Sequence, residues 1–253
     1  MLQVTGRPGQ PVPPPRHWKT STAAEAARLV PDGAVVAVEW LSEELAGAFD
    51  AVLGQRGRPR DLTIVYAAAR GPMRGGGLDR LARTGLIRRV IGGQWYPVFG
   101  LRALAEAAQI EAYSLPVGVI RRLFREIADG KPGHLSRSGL GTFADPRRGG
   151  GRLNLVTDGD MVFLVQAGGN EALLYRTFPV DVAMVSVTIV APSAALAMSR
   201  DALLVARAAH ASGGLVIAQQ DRIGVQHRVP AALSVVPDAT IDLLITDAAA
   251  DPA

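Results

Sequence analysis

Apolar runs and amphipathic stretches take turns along this chain, and the alternation predicts strand followed by helix almost throughout. The segments "AVVAV" (34–38), "DLTIVYAA" (61–68), "IRRVIGG" (87–93) and "IEAYSLP" (110–116) read as strands, the first two of the doubly buried, parallel type. A helix is expected over 22–30, because Thr22 and Glu25 have capping-box spacing and Pro31-Asp32-Gly33 stops it. Further helices are expected over 43–54, ending at Gly54, over 78–84 and over 101–109. "VGVIRRLFREIADG" (117–130) is apolar on one face, with Gly130 placed to end it. Strands 161–166 and 180–190, a helix over 199–214, a strand at 215–219 and a last strand at 240–246 complete the pattern. The sum is an α/β fold: an open, mostly parallel sheet with helices on both faces. Residues 17–247 read as one domain, with a Pro-rich mobile tail over 1–16 and a short tail over 248–253.

Composition narrows the chemistry. The 253 residues contain no cysteine, which excludes disulfides, thiolate catalysis and cysteine-bound metal. His17, His134, His210 and His227 lie far apart, so no metal site is expected. Net charge is +4, with arginines spread along the chain rather than gathered on one basic helix; nucleic acid is not an expected partner. There is no signal-peptide core and no run of about 20 apolar residues, so neither a membrane partner nor a span is expected and the cytoplasm is the expected location.

Ligands of open α/β sheets bind in loops at the carboxyl ends of the strands. Gly75–Gly77, Gly92-Gly93 and the loop "GLGTFADPRRGGGRLN" (139–154) fit such positions. Glycine there either lets backbone approach a ligand or merely shapes a turn. No phosphate-binding consensus is present, so spacing alone leaves the ligand open.

The ordered blocks "GLDRLARTGLIRRVIGGQW", "IEAYSLPVGVIRRLFREIADGKPGHLSRSGLGTFADPRRGGGRLN" and "YRTFPVDVA" resemble the first-half, or alpha, domain of family I coenzyme A transferases of the acetate, propionate and 3-oxoacid type. The resemblance runs from about Ser21 to Val229. It implies covalent acyl transfer. A glutamate attacks an acyl-CoA thioester to give a mixed anhydride, the CoA thiolate returns to form a glutamyl-CoA thioester, and a second carboxylic acid collects the CoA. Such chemistry needs a carboxylate nucleophile and preorganised N–H donors, each typically worth ~10²–10³ in rate. The family's glutamate lies in the second-half, or beta, domain. The resemblance therefore implies a beta-type partner subunit, as αβ or α2β2, with coenzyme A as substrate and no bound cofactor.

It also implies a cleft wall made of Gly93, Gln94, Trp95, Gly118 and the loop residues Gly141, Thr142 and Phe143, with Gly141 and Thr142 nearest the chemistry and Gln94 and Thr142 as catalytic candidates; the alternative is that the loop only packs against the partner domain. The sequence departs from the family where its glycine-rich GGFxxxGxP loop becomes Glu39-Trp40-Leu41-Ser42, placing an indole where backbone would approach the ligand. The family's PQG segment reads Pro116-Val117-Gly118, an isopropyl group replacing an amide. The region 185–200 is shorter and lacks an acidic turn. Glu39 is either a base or replacement nucleophile in the cleft, or a surface carboxylate opening the next helix, a place that suits Glu43 and Glu44 better. Arg147 and Arg148 either hold an anion by bidentate contacts or sit on a solvated loop. Asp79 and Arg80 read as a helix-start pair and His134 as a loop residue.

The expected function is acyl-CoA:carboxylate CoA transfer by an alpha-type subunit. The alternatives are a repurposed enzyme of specialised metabolism that hydrolyses, cyclises or condenses an activated acyl group, and a non-catalytic partner that completes another chain's cleft.

Overall fold

The computed structural model describes residues 18–69, 76–190, 195–220 and 228–245; the two tails and Gly75 lie outside them. The chain opens with β1 (Lys19–Ser21), α1 (Ala23–Leu29), β2 (Val35–Val38), α2 (Glu43–Arg56) and β3 (Leu62–Tyr66). It continues through β4 (Ile87–Gly92), α3 (Phe99–Glu106), β5 (Glu111–Ser114) and α4 (Val117–Ala128) to β6 (Gly133–Ser136), β7 (Val162–Ala167) and β8 (Asn170–Arg176). The remainder is β9 (Val182–Val190), β10 (Ala195–Ser199), α5 (Arg200–Ala211), β11 (Leu215–Gln220), β12 (Leu233–Val236) and β13 (Leu243–Ile245).

The main sheet runs β1-β13-β11-β9-β2-β3-β4-β5, every pair parallel, with β10 and β12 added antiparallel beyond β9. Helices cover both faces, as the alternation predicts. Val36 and Val38 of β2 enter a core with α1, α2 and α3, while Ala37 between them enters a second core with α4 and α5. That is the two-residue period of a strand buried on both sides. Of the described helices none is long and apolar enough to cross a membrane.

Several boundaries differ from expectation for identifiable reasons. The expected capping box holds: Thr22 and Glu25 satisfy each other's backbone N–H groups. Gly54 does not end α2; the helix runs to Arg56 and Gly57, at φ 63°, closes it. The helix expected over 78–84 is only a 3₁₀ turn, Gly77–Leu81. The helix expected at 101 begins at Phe99, because the Asp79 carboxylate accepts from the Phe99 and Gly100 N–H groups at 3.1 and 2.9 Å. Asp79 thus caps α3 across twenty residues, not its own turn.

The region after α4 holds a three-stranded antiparallel sheet, β6-β8-β7, of which only β7 is expected from the pattern. Its β7–β8 hairpin turns at Gly168-Gly169, both at positive φ, joining Ala167 to its partner Asn170. His134 belongs to β6, opposite Tyr175, rather than to a loop.

Leu123 of α4 is fully buried in the second core, whereas Leu29 of α1 is 56% exposed. Leu123→Ala is expected to cost about 2–5 kcal/mol, read as a lower urea midpoint at unchanged slope, and Leu29→Ala less than about 0.5 kcal/mol.

Candidate active-site face

The chain leaves β2 toward β3 on one side and leaves β9, by way of β10 and α5, toward β11 on the other. The carboxyl ends of β2 and β9 therefore border the switch point of the sheet, where a crevice opens. Glu39 sits there. It is 7% exposed, and its carboxylate accepts from the Ser186 N–H at 3.3 Å, the Ser186 hydroxyl at 3.1 Å and the Ser199 hydroxyl at 3.2 Å. Ser199 also caps α5 by accepting from the Ala202 N–H. Glu39 thus ties together β2, β9 and the start of α5. It is neither on the surface nor at the start of α2, where Ser42 is the cap and Glu43 and Glu44 fill the first turn.

The turn after Glu39 is pinned by Gln219, a buried amide at the end of β11. Its oxygen accepts from the Ser42 N–H at 2.7 Å and its nitrogen donates to the Trp40 carbonyl at 3.1 Å. Trp40 is half-buried. At Glu39 lies a small crevice of about 20 Å³, bordered also by Ala67, Ala68, Phe124, Arg121 and Asp201. Arg121 pairs with Asp201 at 2.8 Å, and its Nε–H has no hydrogen-bond partner among the described residues.

The ends of β3, β4 and β5 are brought together as expected. A Cβ on Gly93 would stand 2.1 Å from the Ala67 carbonyl oxygen and 3.0 Å from Val117 Cγ2, so only glycine permits this approach. Gln94 is exposed, and its carbonyl accepts from the buried Tyr66 hydroxyl, whose pKa burial pushes upward. Trp95 is turned inward and donates to the Tyr113 carbonyl at 3.2 Å. Gly118, in the first turn of α4, is exposed.

The loop 139–154 is wound around Asp145, a 1% exposed side chain. The Asp145 carboxylate accepts from the Gly141 and Arg147 N–H groups and bidentately from the Arg147 guanidinium at 3.0 and 2.8 Å. Arg147 also pairs with Glu171 of β8 at 3.1 Å. The bidentate partner of Arg147 is therefore a carboxylate of its own loop; Arg148 is exposed. Arg147, foremost through its hydrogen bonds, holds the Asp145 carboxyl well below the usual carboxylate range. The loop then docks on the edge strand, where the Gly151 carbonyl accepts from the Ser114 N–H at 2.7 Å. This leaves Thr142 and Phe143 exposed at the tip and brings the far end of the loop beside the segment leading to Val117. The Tyr175 hydroxyl supports the loop from below, donating to the Ser138 carbonyl at 2.6 Å; burial, with the Asp145 charge second, pushes its pKa up to about 12.

Asp79 and Arg80 are structural, the former through α3 and the latter paired with Glu43 at 3.0 Å. His134 Nδ1 lies 3.5 Å from Glu126 of α4. Asp145, Gln219, Ser186, Ser199 and Arg121 carry much of this face and stand out in no local motif. Only the "DPR" turn, an Asp before a 3₁₀ segment with proline at its start, carries a local signal of capping.

Gly93→Ala is expected to lower the urea midpoint sharply. Gly118→Ala, with nothing within 4 Å of the added carbon, should raise stability by about 0.5–1 kcal/mol as a helical Gly replacement. Because the folded pKa of Asp145 is depressed, its contribution is present in full above about pH 4 and is lost as pH falls toward the folded value. Asp145→Asn should lower stability at pH 7 and flatten the acid limb of the stability curve, measured by urea titration between pH 2 and 7.

Residues 20–246 match the family model described as coenzyme A transferase. The chain is 35% identical over 237 residues to a caffeate CoA-transferase of Acetobacterium woodii, covering 90% of this chain and 45% of that protein. It is 31% identical over 253 residues to the acetate CoA-transferase YdiF of Escherichia coli strain K12, covering 94% and 48%. The crystal structure of the acyl-CoA transferase YdiF apoenzyme from Escherichia coli O157:H7 superposes with a TM-score of 0.81 at 30% identity, over 93% of this chain and 48% of that one. The chain spans about half the length of the curated relatives it matches. With the parallel sheet, the switch-point crevice and the glycine-lined strand ends, this match places the chain in the coenzyme A transferase family.

Proposed function

We propose that this chain is the alpha-type half of an acyl-CoA:carboxylate CoA-transferase site, with the nucleophilic glutamate supplied by a separate beta-type chain. The observation that carries the alpha-type part of the reading is the match of nearly the whole chain to about half of two CoA-transferases. Geometry supports it. Donors from Ser186 and Ser199 occupy the oxygens of Glu39, so attack by this carboxylate on a thioester would first have to break those bonds. Glu39 acts instead as a positioning residue, holding the Trp40 turn against β9 and α5. Gln94, Gly118, Thr142 and Phe143 are exposed on the strand-end face and form the wall that meets the acyl thioester; Trp40 and Val117 narrow it.

The chemistry divides accordingly. The incoming glutamate carboxylate attacks the thioester carbonyl, the carbon–sulfur bond breaks and CoA leaves as thiolate. The thiolate then attacks the glutamyl carbonyl and releases the first carboxylic acid. The second carboxylate attacks the resulting glutamyl-CoA thioester, and return of the thiolate to the new acyl carbonyl frees the glutamate. This chain shapes the acyl pocket and offers backbone donors to the oxyanion.

The test is intact mass spectrometry of the complex with its beta-type chain after incubation with acetyl-, propionyl- and caffeoyl-CoA. The expected result is a CoA adduct on a glutamate of the beta-type chain and none on this one. An intact complex that leaves every acyl-CoA untouched overturns the reading. Glu39→Gln should lower kcat by about tenfold, in line with losing a positioning hydrogen-bond network. Loss of all adduct formation in this variant, with the complex intact, would instead make Glu39 the nucleophile.

A further inference from the structure

At the amino ends of β2, β3 and β4 the sheet borders a cavity lined by three arginines. It measures about 130 Å³ and is lined by Gly33, Thr63, Arg88, Arg89, Arg176 and Thr177, among others. A single water needs roughly 10–15 Å³, so a polyatomic ion fits. Arg88 and Arg89 are consecutive, and in a regular strand they would point to opposite faces. Here Leu62 pairs with Ile87 and Thr63 with Arg89, leaving Arg88 as the extra residue of a β-bulge. Bulges re-aim side chains, and this one turns two successive guanidinium groups toward one cavity.

Glu111 takes both bulge arginines, Arg89 Nε at 2.6 Å and Arg88 Nη1 at 3.3 Å. The Asp181 carboxylate beside β2 accepts from the Val35 N–H at 2.7 Å. Arg176, at the end of β8, makes no ion pair or side-chain hydrogen bond among the described residues. Of the three arginines that line the cavity, Arg88 and Arg89 share Glu111, and the fork of Arg176 is available. Planar guanidinium forks match phosphate oxygens bidentately. The Thr63 hydroxyl, on a residue 4% exposed, adds a polar group to the floor.

We propose that this cavity is a binding site for a phosphate dianion, either inorganic phosphate or the phosphate monoester of a small metabolite. It stands at the other end of β4 from Gly93, roughly 13 Å away at about 3.3 Å per residue. A bound phosphate would bridge the bulge of β4 to the end of β8, joining the main sheet to the small one.

The test is isothermal titration of the full chain with inorganic phosphate and with glycerol 3-phosphate, at an ionic strength matched with KCl. Saturable binding is expected, weakened at least tenfold by Arg176→Ala and by Arg88→Ala. The exposed helical Arg207→Ala should leave it unchanged. Tighter binding of glycerol 3-phosphate identifies a monoester as the ligand; equal or weaker binding identifies free phosphate. No heat beyond that of KCl, or binding that survives both cavity variants, overturns the proposal. Arg176 is exposed, so its replacement leaves the fold in place for the comparison.

Discussion

The architecture depends on one parallel pairing, between β2 and β9. Val36, Ala37 and Val38 lie beside Val182, Ala183 and Met184, residues almost 150 positions later in the chain. The pairing joins a sector built from β2 to β5 to one built from β9, β11 and β13. Because the chain leaves the two strands in opposite directions, it also creates the crevice at their carboxyl ends. Glu39 bonds Ser186 of β9 and Ser199 before α5, while Gln219 of β11 bonds the Trp40–Ser42 turn that follows Glu39, so four elements are tied together at that crevice. A change in register by one residue would turn every side chain of β2 to the opposite core.

The second organising contact is electrostatic and local. A loop rich in glycine has much conformational freedom to lose on folding. Asp145 offsets that loss by gathering two backbone N–H groups and a guanidinium onto one buried carboxylate. The loop tip is therefore shaped before any ligand arrives, and ordering it costs little at the moment of binding. The same economy explains why Arg147, the obvious anion binder by residue type, has its fork turned onto its own chain.

On the proposed reading, this face supplies one half of a site. It presents exposed Gln94, Thr142 and Phe143 around glycine-lined strand ends, while its own buried carboxylate is engaged by hydroxyl and amide donors. The arrangement suits a wall that receives a carboxylate from outside better than one that furnishes it.

The amino-acid sequence alone determined the α/β class, the strand-helix order, the capping box at Thr22 and the family, because each rests on periodicity, local spacing or ordered blocks of residues. It also pointed to the strand ends near Gly93 and Val117, which the structure places side by side. What it could not carry were contacts between residues distant in the chain. Asp79 caps a helix twenty residues on, and no local signal announces it. The strand β8 lay hidden because its hairpin is marked only by a glycine pair. The burial of Glu39 and its bonds to Ser186 and Ser199 appear only once β9 and α5 are placed beside it. The bulge at Arg88 has no mark in "IRRVIGG", which reads as a plain strand until it is set in register with β3. Tertiary structure decided these points because burial, charge pairing and register are properties of neighbours, and the neighbours are chosen by topology rather than by sequence distance.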